Sequence, residues 1–311
     1  MAKRNSDDSF SSSLIKNIKR DKYLLLLVLP VVAYYIIFGY VPMYGLLIAF
    51  KDYSARLGVF GSPWNHFQSF IDLFNSAYFF RILKNTLLIS IYGLIWAFPV
   101  PIVFALILNE CRDGLFKKVT QTISYLPHFI STVIIVSMMM NFLSPNDGFV
   151  NNIVKSLGHA PINFFARPEW FRTLFIGSGI WQNFGFGAII YLAAISAIDA
   201  QIYEAAIIDG ASRWRRMLHV TLPGIFPTIL ILFVLNLGNL MSVNYTKVIL
   251  MYNPATYETA DVISSYVYRT GIVKSDFSYG AAVGLFNSVI NLILLITANK
   301  GSKKITKLSL W

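Results

Sequence analysis

Side chains able to do acid–base, thiol or metal chemistry are few in this sequence and poorly spaced for it. The four histidines, His66, His128, His159 and His219, fall in different segments, and Cys111 is the only cysteine. One thiol makes neither an intrachain disulfide nor a redox pair. The histidines lack metal-ligand spacing, so no metal site is expected. His128, inside an apolar run, reads as a hydrogen-bonded packing or mouth residue. No GxxxxGK[ST], GxGxxG or HExxH run occurs, and each of those carries a specific nucleotide or zinc chemistry. The expectation is a chain with no catalytic residue and no cofactor of its own, hence not an enzyme.

The densest interacting segment is 199–222. It contains Asp199, Glu204-Ala205-Ala206, Asp209-Gly210-Ala211 and Ser212-Arg213, and ends at Leu222, directly before Pro223. Asp199 can cap a short helix with its body at 203–208. Glu204 stands in the early turns, where the helix dipole favours a carboxylate. Gly210 is a natural left-handed stop. A second helix can start near Ser212, with Trp214, Met217 and Leu218 on one side and Arg213 and Arg216 on another. Two short helices joined at a glycine form a projecting knob. Its small residues would let another backbone approach closely. An amphipathic connector lying on the membrane and a docking helix for a partner both fit these residues.

The elements around this loop follow from where charge is missing. The chain is 56% hydrophobic and 13% charged, with 15% aromatic residues and a mean hydropathy of +0.58. Soluble domains carry about 25% charge, so an integral membrane protein is expected. Residues 24–50, 85–109, 119–146, 173–198, 220–246 and 277–299 contain no Asp, Glu, Lys or Arg. Each exceeds the roughly 20 residues that a helix needs to cross the hydrocarbon core. Unpaired backbone groups cost several kcal/mol each in lipid, so the spans must be helical. Six spans are expected. Prolines interrupt several of them: Pro30 and Pro42, Pro99 and Pro101, Pro127, Pro223 and Pro227. Gly177, Gly179, Gly185 and Gly187 would allow close contact along the fourth.

Lys3, Arg4, Lys16, Lys19, Arg20, Lys22, Arg112, Lys117, Lys118, Arg213, Arg215, Arg216, Lys300, Lys303, Lys304 and Lys307 all fall on one side of such a bundle. The positive-inside rule then puts both termini in the cytoplasm. The net charge of +11 becomes a topology signal that needs no nucleic acid. The basic start followed by 24–29 resembles a signal peptide, but the apolar run is too long and lacks a compact cleavage site, so a retained span is expected. The organisation reads as a cytoplasmic tail at 1–23, a six-helix domain at 24–299 with the loop 199–222, and a basic cytoplasmic tail at 300–311. Among the outside loops, 70–84 and 258–269 have helical spacing, the first with a face that could lie along the membrane.

The loop resembles the inner-membrane permease subunits of binding-protein-dependent ABC importers. The family pattern is EAA, then DG three positions on, then a hydrophobic-Leu-Pro ending. Glu204-Ala205-Ala206, Asp209-Gly210-Ala211 and Leu222-Pro223 match at that spacing, with mild departures at Met217 and Val220. The DG-A form is similar to the carbohydrate, maltose-permease-like branch. Leu29-Pro30, Tyr40-Val41-Pro42-Met43-Tyr44-Gly45, Phe50-Lys51-Asp52-Tyr53, Tyr252-Asn253-Pro254 and Glu258-Thr259-Ala260-Asp261-Val262 look like its oligosaccharide and polysaccharide permeases. The resemblance implies the type I importer permease fold in a bacterial plasma membrane. It also implies a second permease subunit in a heterodimer, a cytoplasmic ATPase dimer holding ATP and Mg, and an extracytoplasmic solute-binding protein. Glu204, Ala205, Ala206, Asp209, Gly210, Ala211, Arg213, Leu222 and Pro223 would then couple to the ATPase.

The resemblance implies that this chain forms half of a pathway for an oligosaccharide or related carbohydrate. Sugars ask for hydrogen-bonding groups and an aromatic face in an apolar setting. Trp181, Gln182, Asn183, Asn236, Asn239, Asn287 and Asn291 meet that requirement, and the last two share a helix face. Buried amides also serve as interhelical glue, and the sequence leaves both roles open for each. A secondary transporter or channel for a small polar solute, working without an ATPase, is the alternative. Against it, no span carries a charged relay residue.

Overall fold

The computed structural model describes residues 20–306. The expected tail at 1–23 therefore lies largely outside the described residues, and of the expected tail at 300–311 the described part, to Thr306, continues the last helix. The chain divides into two compact units, one ending at Phe67 and the other beginning at Gln68.

In the first unit, α1 (Lys22–Phe50) is long and apolar enough to cross a membrane. It is α-helical to Tyr35, widens into a π turn over Ile36–Tyr40 and tightens into a 3₁₀ helix over Val41–Phe50, with Pro42 in that helix's first turn. Proline supplies no N–H and so favours such a change of register. The loop beyond folds back on its own helix. Asp52 N–H donates to Pro63 O at 2.9 Å and Asn65 N–H to Phe50 O at 3.0 Å. Tyr44 stacks on Phe60. Lys51 is buried, but its Nζ donates to the carbonyls of Phe60 and Ser62, both at 3.1 Å.

The second unit is helical throughout its regular structure, with no sheet among the described residues. Its elements are α2 (Gln68–Asn75), α3 (Phe79–Glu110), α4 (Leu115–Phe129), α5 (Thr132–Phe142), α6 (Phe149–Ser156), α7 (Pro168–Ser196), α8 (Ala200–Ile208), α9 (Arg213–Gly238), α10 (Tyr245–Met251), α11 (Tyr257–Ala260), α12 (Ile263–Val267) and α13 (Phe277–Thr306). Among the described residues of the chain, α1, α3, α7, α9 and α13 qualify as spans on their own. The fold is an all-α, multi-pass membrane architecture with five apolar spans, or six when α4 and α5 count as one.

That pair is the third of the six expected spans, and it is broken. The run 119–146 turns through 100° between α4 and α5. Leu126–Phe129 is 3₁₀ around Pro127, Ile130 is extended, and Ser131 caps α5 by accepting from Ile134 N–H at 3.4 Å. Pro127 takes one donor out of the helical ladder, and Ser131 offers the next helix a start of its own. Absence of charge measures how far a run can reach through lipid and says nothing of its direction.

Other boundaries also moved. The fifth span begins at Arg213 and ends at Gly238, whereas 220–246 is the charge-free run; beyond Asn239 the chain is irregular up to α10. The expected helix at 258–269 is broken at Asp261-Val262, where Ser265 Oγ caps the new start by accepting from Val262 N–H. The expected helix at 70–84 breaks at 76–78, where Ser76 Oγ accepts from Tyr78 N–H. Part of its apolar face packs inward, with Leu73 and Phe79 in a core with Met241, Ile263, Tyr266 and Val283, while Ile71, Phe74 and Phe80 stay exposed. In α3 a π turn at Gly93–Ala97 absorbs the donors missing at Pro99 and Pro101.

The spans α3, α7 and α9 meet in a core of Ile102, Ala105, Leu106, Ala188, Tyr191, Ile195, Met217 and Ile225. Gly185 lets α7 touch α4 so closely that a Cβ there would collide with the Ser124 backbone carbonyl. Close backbone approach of this kind drives helix association where lipid removes the hydrophobic force.

Candidate functional site

The loop between α7 and α9 is built from its caps. Asp199 Oδ1 accepts from Gln201 N–H at 3.0 Å and starts α8. Gly210, at φ +75°, turns the chain out of it. Ser212 Oγ accepts from Arg215 N–H at 3.4 Å and starts α9. Tyr203 and Thr221 join the two arms through a 2.9 Å hydroxyl contact, and Met217 is sunk in the α3–α7–α9 core. Glu204, Ala205, Asp209, Arg213 and Pro223 are exposed; Ala206, Ala211 and Leu222 are partly so. Large apolar side chains are exposed beside them, with Ile208 at 86% and Trp214 at 69%. All nine loop residues singled out in the sequence stand on this one braced projection.

The amides separate into groups. Asn183 of α7 and Asn236 of α9 line one cavity of about 550 Å³ together with Asn239, Tyr191, Phe98 and Ser90. Asn236 Nδ2 and Asn239 Nδ2 donate to carbonyls of their own helix, those of Leu232 and Leu235. Asn183 Oδ1 lies 3.0 Å from His128 Nδ1, and the His128 ring stacks on Phe186 at 3.9 Å. Gln182 Nε2 donates to Ile130 O at 3.0 Å, so the break between α4 and α5 is held by α7.

The remaining amides lie elsewhere. Asn291 joins segments, accepting from Met241 N–H and donating to Ser242 Oγ. Asn287 lines a separate cavity of about 360 Å³ with Tyr245, Ser264 and Tyr268, and its Oδ1 is buried without a partner. Trp181 is exposed and sits about 200° around α7 from Asn183, at 3.6 residues per turn.

A third cavity, of about 290 Å³, shares Gly93, Ala97 and Asn183 with the first and adds Gln182, Thr132, Asn244 and Lys247. Lys247, on α10, was not singled out by sequence reasoning. It is only 5% exposed, and burial pulls its ammonium down from 10.5 to about 8. The one signal in the sequence is its position directly after the charge-free run 220–246. Among the described residues no cluster of His, Cys, Asp and Glu could hold a metal.

Elsewhere a buried charge is fully paired. Asp261, 0% exposed, accepts from Arg269 at 2.7 and 3.0 Å and from Arg81 at 3.2 Å. Asn85 Nδ2 donates to Asp261 O and Glu258 O, and Arg172 donates to Asn85 Oδ1. This network ties the segment after α10 to α3 and α7.

Residues 97–306 match the family described as "Binding-protein-dependent transport system inner membrane component". The chain is 44% identical over 287 residues to Protein LplB of Bacillus subtilis (strain 168), covering 92% of this chain and 90% of that one. It is 46% identical over 291 residues to the polygalacturonan/rhamnogalacturonan transport system permease protein YteP of the same organism, covering 94% and 90%. A chain of the bacterial alginate ABC transporter, solved with an alginate pentasaccharide-bound periplasmic protein, superposes with a TM-score of 0.87 at 44% identity, covering 95% of this chain and 99% of that chain. A second structure, of a transporter importing the acidic polysaccharide alginate, gives 0.88 at 44% identity, covering 94% and 99%.

Proposed function

The chain belongs to the family of binding-protein-dependent transport system inner membrane components, and from that premise we propose that it forms half of an import pathway for acidic oligosaccharides. It is a permease component of a carbohydrate ABC importer, an integral protein of the bacterial inner membrane. A second permease supplies the other half as a heterodimer. A cytoplasmic ATPase dimer binds ATP and Mg, and an extracytoplasmic binding protein delivers the sugar.

The observation that carries the reading is the cavity where Asn183, Asn236 and Asn239 converge between apolar helices. Its amides and aromatic rings offer hydrogen bonds and flat apolar faces, which suits a polyhydroxylated chain. The acidic class is supported by the relatives, whose polygalacturonan and alginate are polymers of uronic acids. On the other side of the membrane, the capped loop 199–222 presents Glu204, Ala205 and Ile208 to a groove on the ATPase. ATP-driven closure of the ATPases acts on that loop, which must bind the two states of the transporter unequally.

The test is affinity purification of this chain in mild detergent from its own host, with identification of the copurified subunits and of the sugar on the binding protein. Recovery of an ATPase, a second permease and a binding protein carrying a uronate oligosaccharide is expected. Solute uptake by the chain reconstituted alone, without an ATPase, would overturn the reading in favour of a self-contained transporter.

A further inference from the structure

Lys247 differs from the other deeply buried charges in the described structure. Asp261 is neutralised by two arginines. Lys51 is satisfied by two carbonyls and lies 5.0 Å from the centre of the Trp64 ring. Lys247 takes part in no ion pair among the described residues. Its Nζ donates once, to Phe175 O at 2.8 Å, and lies 4.8 Å from the centre of the Phe175 ring. An ammonium has three protons to give, so two remain for whatever enters the adjoining cavity of about 290 Å³. An uncompensated charge removed from water is costly, and such residues beside a membrane pathway mark where a charged species passes.

The surroundings add donors and no competing anion. Asn244 Oδ1 is already used in accepting Lys247 N–H at 3.1 Å, which leaves its amide protons to the cavity that both residues line. Gln182 and Asn183 complete the polar wall, and none of the cavity's lining residues is acidic. The amide cavity at Asn236 and Asn239 adjoins it through Asn183, so one saccharide chain could touch both.

We propose that Lys247 and Asn244 form a carboxylate-binding subsite in the pathway, which reads the uronic acid groups of the translocated oligosaccharide. The assignment rests on the acidic-oligosaccharide reading above and adds the residues that enforce it. A neutral sugar leaves the ammonium unpaired, whereas a uronate completes it with a charge-assisted hydrogen bond. Selection of this kind comes as much from the penalty on the wrong ligand as from affinity for the right one.

The experiment uses the whole transporter in liposomes, with its own binding protein saturated by either trigalacturonate or its neutral methyl ester. Lys247→Met is expected to lower trigalacturonate uptake at least tenfold while leaving ester uptake unchanged or raised, and Lys247→Arg is expected to keep the preference for the acid. Ester uptake by the Met variant doubles as its folding control, and Lys247→Gln repeats the comparison if the Met variant fails to assemble. Wild-type uptake of trigalacturonate that is indifferent to Lys247, or an equal loss for acid and ester in every assembled variant, overturns the subsite alone. Wild-type uptake of neutral oligosaccharides only overturns the acidic reading itself, and the subsite with it.

Discussion

Gln182 Nε2 donates to the carbonyl oxygen of Ile130 across 3.0 Å, and this bond spans the break between α4 and α5. The carbonyl belongs to an extended residue, so no helical N–H can reach it. Gln182→Leu leaves it without that partner, an expected cost of about 1–3 kcal/mol. Gln182→Glu, ionised, removes the donor as well and should also destabilise. Thermal unfolding of the purified protein in detergent reads both changes, and unchanged midpoints would show that the break stands without α7.

Gly185 packs so tightly on the Ser124 carbonyl that the smallest added side chain forces α7 and α4 apart, whereas Gly177 faces open space. Gly185→Ala is expected to destabilise by about 1–3 kcal/mol, in the range for overpacking. Gly177→Ala should be neutral or slightly stabilising, since alanine is the better helix former. Equal unfolding temperatures for the two variants would count against the contact.

Much of the loop and little of the cavity could be read in the sequence. Asp199, Gly210 and Ser212 act locally: each sets its own turn or cap, so residue type and spacing suffice to place α8 and the start of α9, though not the continuity of α9 into the fifth span. The 100° break depends on groups far apart in the chain, Ile130 and Gln182, and a run without charges conceals it. Asn183, Asn236 and Asn291 are chemically alike, and only the packing of α7, α9 and α13 decides that two line a cavity while the third joins segments. Lys247 was hidden for the same reason, because its burial depends on α7.

Gly210 has φ +75° and no atom within 4 Å of the position a Cβ would take, so a substitution there meets backbone strain and no clash. Gly210→Val should cost about 1–3 kcal/mol locally, while Gly210→Asn, which tolerates this region, should be mild. With both variants inserted at normal abundance, only valine is expected to lose ATPase activity stimulated by the loaded binding protein. Glu204→Lys reverses a charge on the exposed face of α8 and should give the same loss. Full stimulation in both the valine and lysine variants would remove the loop from coupling.

Orientation is checked with single cysteines in a Cys111→Ser background. Ser62 and Asn151 fall in segments expected outside but are buried, so exposed neighbours make better probes. Cysteines at Ser156 and Ala255 should react with a membrane-impermeant thiol reagent in cells stripped of any outer barrier, and one at Ile208 should not. Strong labelling at Ile208 would invert the topology and detach the loop from any cytoplasmic ATPase.

The Lys247 ammonium is pulled down to about 8 from an ordinary 10.5 by burial. None of the other residues lining its cavity is titratable, and His128 meets the cavity's edge through its 3.0 Å contact with Asn183. Between pH 8 and 10.5 the unfolded chain therefore holds more protons than the folded one, and stability rises with pH across that window. Relative to Lys247→Met, the gain should approach about 3 kcal/mol, at 1.36 kcal/mol per unit. Denaturation midpoints at pH 7.5 and 10.5 measure it, and a difference that is flat or falls with pH would contradict the burial of the charge.

The break at Ile130 also bears on how the protein is made. Its two arms are 15 and 11 residues long, each short of the roughly 20 that a crossing needs. Neither arm can settle across the bilayer as an independent insertion unit, and the bend between them carries polar backbone that α7 later satisfies. The ribosome must add some 50 further residues before Gln182 emerges. During that interval the Ile130 carbonyl lacks the amide that meets it in the finished fold, so the bend is expected to take its final geometry only once α7 has been made.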